Sequence, residues 1–416
     1  MTRPNVGDLN PPNRLMLTPG PSSVDPRVYR ALSMPLVGHM DPWFNEVLIP
    51  DMEVLMRYVF QTQNRITFPI SASGSGGIEA AVLNPLEAGD DALICVNGWF
   101  SERMALVAER TPANIIRVEA PYGRTVDPDD VRRAGKGKKV KIVGLAHGET
   151  STGVVQRIDE YRKVADELGA LLVVDAVATL AGIPLDIDRQ RVDICFSGSQ
   201  KALSAPPGMS PITVSARAEE VIKARKTKVQ SWYFDLTNTM SMWGSERLYH
   251  HTPPISLLYA LREAMRMVSE EGLEARWERH RQNQQALIAG LEAMGMTMLV
   301  SNPADRLATV TAVNIPEGVD DVKTRKQLLS EFGIEIAGGF GALKGRMWRV
   351  GLMGYCSQRK NVLLFLAALE KALLDQGYRT SPGAGVGAAV RSYTQSSSAA
   401  RTPVSTGSPV PVGAQK

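Results

Sequence analysis

Two polar residues follow two apolar segments in the middle of the chain, and their chemistry is complementary. Asp175 ends the apolar run of residues 170–174, and Lys201 lies shortly after a second run, residues 194–196. We expect both runs to be buried strands, and the carboxyl ends of strands in an open α/β sheet are where ligands bind. An acid and an amine at that edge suit pyridoxal 5'-phosphate, which needs a lysine for its aldehyde and an Asp for its ring nitrogen.

Each of the two residues has a predicted task. Burial lowers the pKa of an amine, so Lys201 is predicted to be the Schiff-base lysine and to move a proton between the substrate Cα and the cofactor C4′. Asp175 would keep the ring nitrogen protonated, and Val177 would contact the face of the ring. The alternatives are a surface lysine, an aspartate that caps a helix, and a valine that only packs.

A turn of small residues after another strand predicts the phosphate site. Ser73, Gly74 and Ser75 follow the apolar run of residues 66–72 and open a helix. Free N–H groups at a helix N-terminus bind phosphate, and small residues allow close approach. The turn is not a dinucleotide fingerprint, because Glu79 stands where that pattern needs Gly or Ala. A simple tight turn is the alternative.

Two further strand ends offer contacts for the ring. Either Trp99 or Phe100, after residues 92–96, could stack on the cofactor, and the other would belong to the core. Thr150, in the polar segment 147–153, could bind the ring oxygen or a substrate carboxylate. A turn stabilised by its own hydroxyl groups is the alternative for this segment.

An arginine lies within an apolar strand near the end of the chain. Arg349 is flanked by apolar residues in the segment 347–352, so it must be paired. It would clamp the α-carboxylate of a substrate, or form an interdomain salt bridge. The pair His250 and His251 has no third ligand at a suitable spacing, so we predict no metal site.

The pattern of elements predicts an α/β fold. Apolar runs that alternate with amphipathic segments favour a large domain with a mostly parallel seven-stranded sheet, covered by helices on both faces. The predicted strands are residues 66–72, 92–96, 115–118, 140–145, 170–175, 194–196 and 211–214.

We divide the chain into four parts on this basis. Residues 1–21 form an N-terminal arm, 22–295 the large cofactor-binding domain, and 296–378 a small C-terminal α+β domain. The small domain has predicted strands at 309–315, 334–337 and 347–352, and helices at 321–332 and 361–375. Residues 379–416 are rich in small and polar residues and contain four basic and no acidic ones, so we expect a disordered tail.

Composition excludes several classes of protein. The chain has 416 residues, 44% of them hydrophobic, with a net charge of +4 and no basic block interleaved with aromatics, so we expect no nucleic-acid partner. No apolar run is long enough to span a membrane. The three cysteines form no CxxC pair, which favours reduced thiols in the cytoplasm.

Five segments together resemble the fold-type I, class V aminotransferases, in particular the alanine–glyoxylate and serine–pyruvate aminotransferase group. They are TPGPSSVDPRV from residue 18, VFQTQN at 59–64, SGSQKALSAPPG at 197–208, YHHTPPI at 249–255 and RVGLMG at 349–354. The resemblance extends from about residue 17 to residue 378 without a large gap.

The resemblance implies a role for each matching residue. Lys201 would hold the cofactor, Asp175 its ring nitrogen and Arg349 the substrate carboxylate, with Thr150 nearby. Other matching positions fall into three groups. Phe100 would stack on the ring, at a position where this subgroup often has tryptophan. The phosphate would be contacted by Ser73, Gly74, Ser75 and Gln200, and Ser75 stands where relatives often have histidine. Tyr249 and Thr252 would reach the cofactor of the neighbouring subunit. The last pair implies a homodimer with shared active sites. Gly20 and His39 would contact the substrate, and His39 would tune the choice of amino donor.

The implied reaction is a ping-pong transamination. A small amino acid, alanine or serine, would give its amino group to glyoxylate, which becomes glycine while the donor becomes a 2-oxo acid. Ureidoglycine–glyoxylate and pyridoxamine–pyruvate aminotransferases share the architecture and stay as alternatives. The sequence is also compatible with a lyase on the same fold and with a non-catalytic binding protein. A cysteine desulfurase would need a thiol in the loop 338–346, which has none.

Overall fold

The structure is a computed structural model, and it describes residues 1–399 of the chain. The strands are β1 (Leu15–Met16), β2 (Ile66–Ile70), β3 (Asp91–Val96), β4 (Asn114–Glu119), β5 (Val140–Ala146), β6 (Gly148–Glu149), β7 (Val154–Val155), β8 (Leu171–Asp175), β9 (Ile194–Phe196), β10 (Ser210–Val214), β11 (Val310–Asn314), β12 (Ile334–Glu335), β13 (Ala337–Gly338) and β14 (Met347–Gly351).

The α-helices alternate with these strands in the first half of the chain. They are α1 (Pro26–Leu32), α2 (Ile49–Phe60), α3 (Gly74–Leu83), α4 (Trp99–Ala108), α5 (Pro128–Gly135), α6 (Ile158–Glu167), α7 (Ala216–Lys223), α8 (Leu236–Trp243), α9 (Ile255–Glu271), α10 (Leu273–Ala293), α11 (Asp321–Phe332), α12 (Arg359–Leu374) and α13 (Ala384–Ala399). Short π- and 3-10 turns lie at Phe44–Leu48, Pro303–Asp305, Gly341–Leu343 and Gly354–Cys356. No helix among residues 1–399 is long and apolar enough to cross a membrane.

The central sheet has seven strands in the order β2-β10-β9-β8-β5-β3-β4. All neighbours are parallel except β10, which runs antiparallel to both β2 and β9. The residues of β8 and β9 are all buried, because helices cover both faces, and this burial explains their unbroken apolar sequence. The predicted mostly parallel α/β sheet is confirmed, and its strand ends differ from the predicted ones by only one or two residues.

A smaller sheet of three antiparallel strands, β11-β14-β13, lies in the C-terminal part of the chain. Its core contains Trp348 and Phe365, and Leu17 of the N-terminal arm joins it. The arm is therefore not simply extended: β1 pairs in parallel with β12, and the amide of Gly351 donates to the carbonyl of Leu17 at 2.7 Å. The predicted strand 334–337 is split into the short strands β12 and β13. The boundary at residue 295 stays a prediction.

The expectation of disorder from residue 379 onward is wrong for much of that segment. Helix α13 packs along α10 and α12, with Ala389 and Tyr393 buried in the second core. Its small residues permit close contact, since a Cβ on Gly290 of α10 would lie 2.8 Å from the carbonyl oxygen of Gly385. Low hydrophobicity misled the prediction, because Ala and Gly stabilise this helix by fit rather than by apolar area. Residues 400–416 of the predicted tail lie outside the described residues.

Candidate active site

Lys201 and Asp175 line one cavity of about 220 Å³ at the carboxyl ends of the central strands. Parallel pairing of β8 with β9 places Asp175 opposite Phe196, and the chain then returns to the same edge at Lys201. Most of the predicted site residues share this cavity. Its wall is formed by Gly20, Ser73, Gly74, Ser75, Ile78, Phe100, Arg103, Thr150, Asp175, Val177, Gln200 and Lys201.

Asp175 is a buried carboxyl group that forms no ion pair within residues 1–399. Its side chain is 4% exposed, and Oδ1 accepts a hydrogen bond of 2.8 Å from the amide of Val177. Desolvation raises the pKa of Asp175 to about 7, and the Val177 hydrogen bond only partly opposes this effect. The alternative role as a helix cap does not fit, since the residues that follow, 177–182, form turns and no helix. The carboxyl group therefore suits a cationic partner inside the cavity.

Lys201 is a buried amine that loses its proton more easily than an exposed lysine does. It is 7% exposed, and burial together with the charge of Arg349 lowers its pKa to about 8. Its Nζ donates to the carbonyl of Pro19 in the N-terminal arm. Gly20 follows with φ of +99°, and a Cβ there would lie 2.6 Å from the Lys201 Nζ, so only glycine leaves room for this amine.

The N-terminus of α3 forms one end of the cavity. Ser73 precedes the helix and makes no side-chain capping bond, which leaves the first amides free for an anion. A Cβ on Gly74 would lie 3.0 Å from Val177 Cγ2, so the close packing of the wall depends on this glycine. The buried Oε1 of Gln200 has no hydrogen-bond partner among residues 1–399. These groups together form a polar cradle next to Lys201.

Arg103 belongs to the same wall, and the sequence analysis missed it. Its Nη1 donates to Ser75 Oγ at 3.1 Å, and its guanidinium lies 5.2 Å from the centroid of the Phe100 ring. The spacing could have revealed it, because Arg103 follows Phe100 by three residues and such pairs share one face of a helix. Of the two candidate aromatics, Phe100 lines the cavity. Trp99 does not, and because it is 40% exposed, the expectation that the second aromatic belongs to the core is wrong.

Arg349 lies in the middle of β14 without an acidic partner among residues 1–399. It is 5% exposed; Nε donates to the carbonyl of Gly338 at 2.9 Å and Nη1 to the carbonyl of Thr150 at 3.4 Å. The predicted alternative, an interdomain salt bridge, is therefore absent from this part of the chain. Desolvation lowers the pKa of Arg349 to about 10, which leaves the group charged at neutral pH. A buried cation of this kind suits a carboxylate ligand.

Comparison with known proteins agrees with this geometry. The model of the family "Aminotransferase class-V" matches residues 51–358. The chain belongs to the class V aminotransferases. It is 42% identical to the (S)-ureidoglycine–glyoxylate transaminase of Bacillus subtilis over 93% of this chain and 97% of that one, and 41% identical to the alanine–glyoxylate aminotransferase of Callithrix jacchus over 88% and 89%. The crystal structure of the Bacillus subtilis enzyme superposes with a TM-score of 0.90 and 42% identity, over 93% of this chain and 100% of that one. The crystal structure of an alanine–glyoxylate aminotransferase from Nostoc sp. superposes with a TM-score of 0.86 and 42% identity, over 89% of this chain and 97% of that one.

Four of the predicted site residues of this aminotransferase are not among the wall residues of the cavity. Arg349 contacts the carbonyl of Thr150, which belongs to the wall, and the other three are His39, Tyr249 and Thr252. Tyr249 is 65% exposed, its hydroxyl is 3.5 Å from Thr252 Oγ1, and its ring is 5.1 Å from that of His39. Within one chain these side chains do not line the cavity. Their predicted roles toward a neighbouring subunit and toward the substrate stay predictions. The neighbouring His250 and His251 belong to no group of three metal-ligating side chains among residues 1–399.

A second residue that the sequence analysis missed is Glu149, which links the wall segments of the aminotransferase. Its carboxylate is fully buried and accepts hydrogen bonds from two segments. The donors are the amide of Phe100 (3.3 Å), the amide and hydroxyl of Ser101 (both 2.9 Å), and the amide and hydroxyl of Ser151 (3.0 and 2.6 Å). Glu149 thereby fixes the start of α4, which carries Phe100, to the segment that carries Thr150.

The cysteines of this aminotransferase are all free and buried. Cys356, the one closest in sequence to Arg349, donates through Sγ to the carbonyl of Met16 at 3.1 Å and accepts from the amide of Ser23 at 3.2 Å. Burial raises the pKa of its thiol. A buried, hydrogen-bonded thiol does not suit the mobile nucleophile that a desulfurase needs.

Proposed function

We propose that this aminotransferase uses pyridoxal 5'-phosphate to transfer the amino group of alanine or serine to glyoxylate. The observation that carries the proposal is the shared cavity of Lys201 and Asp175, an amine of lowered and an acid of raised pKa. Such opposed shifts inside one cleft are typical of catalytic sites. The products would be glycine and pyruvate or hydroxypyruvate.

The residues of the cavity fit this cofactor. Asp175 needs a cationic partner, which a protonated ring nitrogen supplies, and the free N-terminus of α3 with Arg103 suits a phosphate. Phe100 offers its ring as a stacking surface, and Gln200, which lines the same cavity, would donate to the phosphate through Nε2. When bound, the cofactor would supply an electron-withdrawing ring that stabilises negative charge at the substrate Cα.

The protein's own side chains would handle binding and proton transfer. Arg349 would hold the substrate carboxylate through charge-assisted hydrogen bonds, and Thr150 would limit its position from the opposite segment. Lys201, with a pKa of about 8, would move a proton between the substrate Cα and the cofactor C4′, in one direction for the donor and in the other for the acceptor. Asp175 would keep its partner nitrogen protonated, and the buried wall would exclude water.

A second candidate donor is ureidoglycine. The relative from Bacillus subtilis that is named for this donor matches over almost its entire length, and its crystal structure superposes with a TM-score of 0.90. A pyridoxamine–pyruvate aminotransferase from Mesorhizobium loti is less similar in sequence, at 27% identity, although it shares the fold with a TM-score of 0.87. We therefore rank pyridoxamine below alanine, serine and ureidoglycine as a candidate donor.

The proposal includes a homodimer in the cytoplasm. Large apolar side chains of the N-terminal part of the chain are exposed in the single chain: Leu36, Met40, Trp43, Val47 and Val54. Exposed apolar surface of this extent supports association with a second copy. Tyr249 and Thr252 would then reach the partner's site. The free, buried cysteines support a reducing compartment.

Two measurements test the proposal. Purified enzyme is assayed with alanine, serine, ureidoglycine and pyridoxamine against glyoxylate and pyruvate; we expect the highest kcat/KM for alanine or serine with glyoxylate. A higher value for ureidoglycine would replace the donor, and no transamination with any pair would refute the function. Borohydride reduction followed by peptide mapping should place the cofactor on Lys201. As a control, the variant Lys223→Ala, which removes an exposed lysine, should be labelled to the same extent as the wild type. A label elsewhere would refute the assignment of the lysine.

A further inference from the structure

Phe340 lies in the loop between β13 and β14, and the guanidinium of Arg349 lies over its ring. The guanidinium carbon of Arg349 is 4.1 Å from the centroid of the Phe340 ring. The carbonyl of Gly338, at the start of the same loop, accepts the Nε hydrogen of Arg349 at 2.9 Å. One short segment therefore contacts the guanidinium through both an aromatic ring and a carbonyl group.

Two aromatic residues of α4 also contact the Phe340 ring. Trp99 stacks on it with centroids 5.4 Å apart and planes at 25°, and Phe100 meets it edge-on at 6.2 Å and 73°. Both arrangements are favourable for aromatic pairs. Because Phe100 lines the cavity, Phe340 joins the wall of the cavity to Arg349.

Glycines on both sides fix the conformation of this loop. Gly341 has φ of +51°, a conformation that other residues rarely adopt. A Cβ on Gly339 would lie 2.2 Å from the carbonyl oxygen of Leu343, so no other residue fits there without a shift of the loop. The pattern Gly-Gly-Phe-Gly thus gives the ring a defined position rather than leaving it on a free loop.

The contact has a consequence for ligand binding. A guanidinium binds a carboxylate through N–H groups in its own plane, and an aromatic ring packed against the group restricts the tilt of that plane. Among residues 1–399, Nε and Nη1 of Arg349 are hydrogen-bonded and Nη2 makes no hydrogen bond. Without the Phe340 ring, the guanidinium could rotate away from this orientation toward solvent or toward nearby carbonyl groups.

We propose that Phe340 is a positioning residue that holds the Arg349 guanidinium in the orientation required for the α-carboxylate of a substrate. The inference rests on the proposed function, in which Arg349 binds that carboxylate. It adds that the affinity for carboxylates depends on an aromatic ring in the small domain, and that bulk alone at this position does not replace the ring.

The test compares Phe340→Leu with Phe340→Tyr in the holoenzyme. We expect Phe340→Leu to raise KM for the amino donor and for glyoxylate roughly 3- to 30-fold, the range for loss of a cation–π contact, while kcat changes less. The inhibition constant of glycolate, a carboxylate without an amino or oxo group, should rise by the same factor. Phe340→Tyr retains the ring and should return all three constants toward the wild-type values. Phe332→Leu, the same change in a half-buried residue of the small-domain core, is the control and should leave them unchanged.

Two comparisons keep the outcomes separate. If Arg349→Ala raises KM and the glycolate constant but Phe340→Leu does not, the positioning role is refuted and the proposed function stands. If Arg349→Ala leaves both constants unchanged, the carboxylate site itself is wrongly assigned. A Phe340→Leu variant that retains KM but loses the absorbance of the bound cofactor would also refute the inference, because the ring would then act through Phe100. Equal losses in the Leu and Tyr variants would refute the requirement for a ring.

Discussion

Glu149→Gln should destabilise the protein strongly, because its carboxylate serves two segments at once. One oxygen accepts from Phe100 and Ser151, and the other from the amide and hydroxyl of Ser101. A glutamine has only one acceptor oxygen, so either the amide of Ser101 or the amides of Phe100 and Ser151 lose their partner in a buried site. One unsatisfied buried amide and the weaker bonds to a neutral acceptor together predict a loss of roughly 3–5 kcal/mol in the free energy of unfolding.

The assay is urea unfolding of the cofactor-free protein, followed by tryptophan fluorescence, together with loss of cofactor from the holoenzyme on dialysis. Glu102→Gln is the matched control: Glu102 lies on α4, the helix whose start Glu149 binds, and forms a half-exposed ion pair with Arg117. Such a pair is expected to contribute about 1 kcal/mol or less. We expect Glu149→Gln also to release cofactor faster, since the Phe100 ring is no longer fixed. A loss of stability no greater than that of Glu102→Gln would refute the reasoning.

Three further predictions follow from the pKa shifts and from α13. Asp175 has a pKa of about 7 in the folded state against 3.8 for an ordinary Asp, so the folded state retains a proton that the unfolded state has lost, and the stability of the cofactor-free protein should fall as the pH rises from about 4 to 7. Urea unfolding at both pH values should show that Asp175→Asn removes roughly 4 kcal/mol of that fall. A stability difference between wild type and variant that does not change with pH would argue against this role of Asp175. Lys201 has a pKa of about 8, lowered from 10.5, so the rate at which added pyridoxal 5'-phosphate attaches to cofactor-free protein should rise with pH and level off above pH 8. Arg349→Gln should shift the midpoint of this pH–rate curve to higher pH. An unchanged midpoint would show that the charge of Arg349 does not act on the amine. Tyr393→Phe removes the donor of a 2.7 Å hydrogen bond to Asn283 Oδ1 and should cost about 1–2 kcal/mol of unfolding free energy, whereas no loss would mean that α13 does not contribute to the fold through this contact.

The strands of the large sheet could be predicted from the sequence because burial on both faces leaves a continuous apolar run. Asp175 and Lys201 were recognisable for the same reason, since each is a polar residue at the end of such a run. Parallel pairing then brings these ends together by topology alone. Residues that immediately follow a buried strand are therefore the part of the site that a pattern can locate.

The remaining parts of the site depend on contacts that no local pattern contains. Glu149 lies in a polar turn, and its role appears only when α4, whose Ser101 is 48 residues away in sequence, is placed against it. Phe340 lies in a glycine-rich loop whose partners, Trp99 and Arg349, belong to different elements. Helix α13 was missed because packing of Ala and Gly against α10 depends on shape, which hydropathy does not report. Each of these features is tertiary in origin.

Asp175 and Arg349 are buried ionisable groups, and neither forms an ion pair with residues 1–399. Burial without an ion pair raises the free energy of the folded state in each case, and a core selected for stability alone would have apolar residues at both positions. Asp175 and Arg349 are therefore better explained by ligands that bring the opposite charges. A ring with a protonated nitrogen would relieve the first cost and a substrate carboxylate the second, so that stability gained on binding is coupled to the correct charge on each ligand. A neutral ring or an uncharged substrate would leave the cost in place, and the site would discriminate against it by electrostatics as well as by shape.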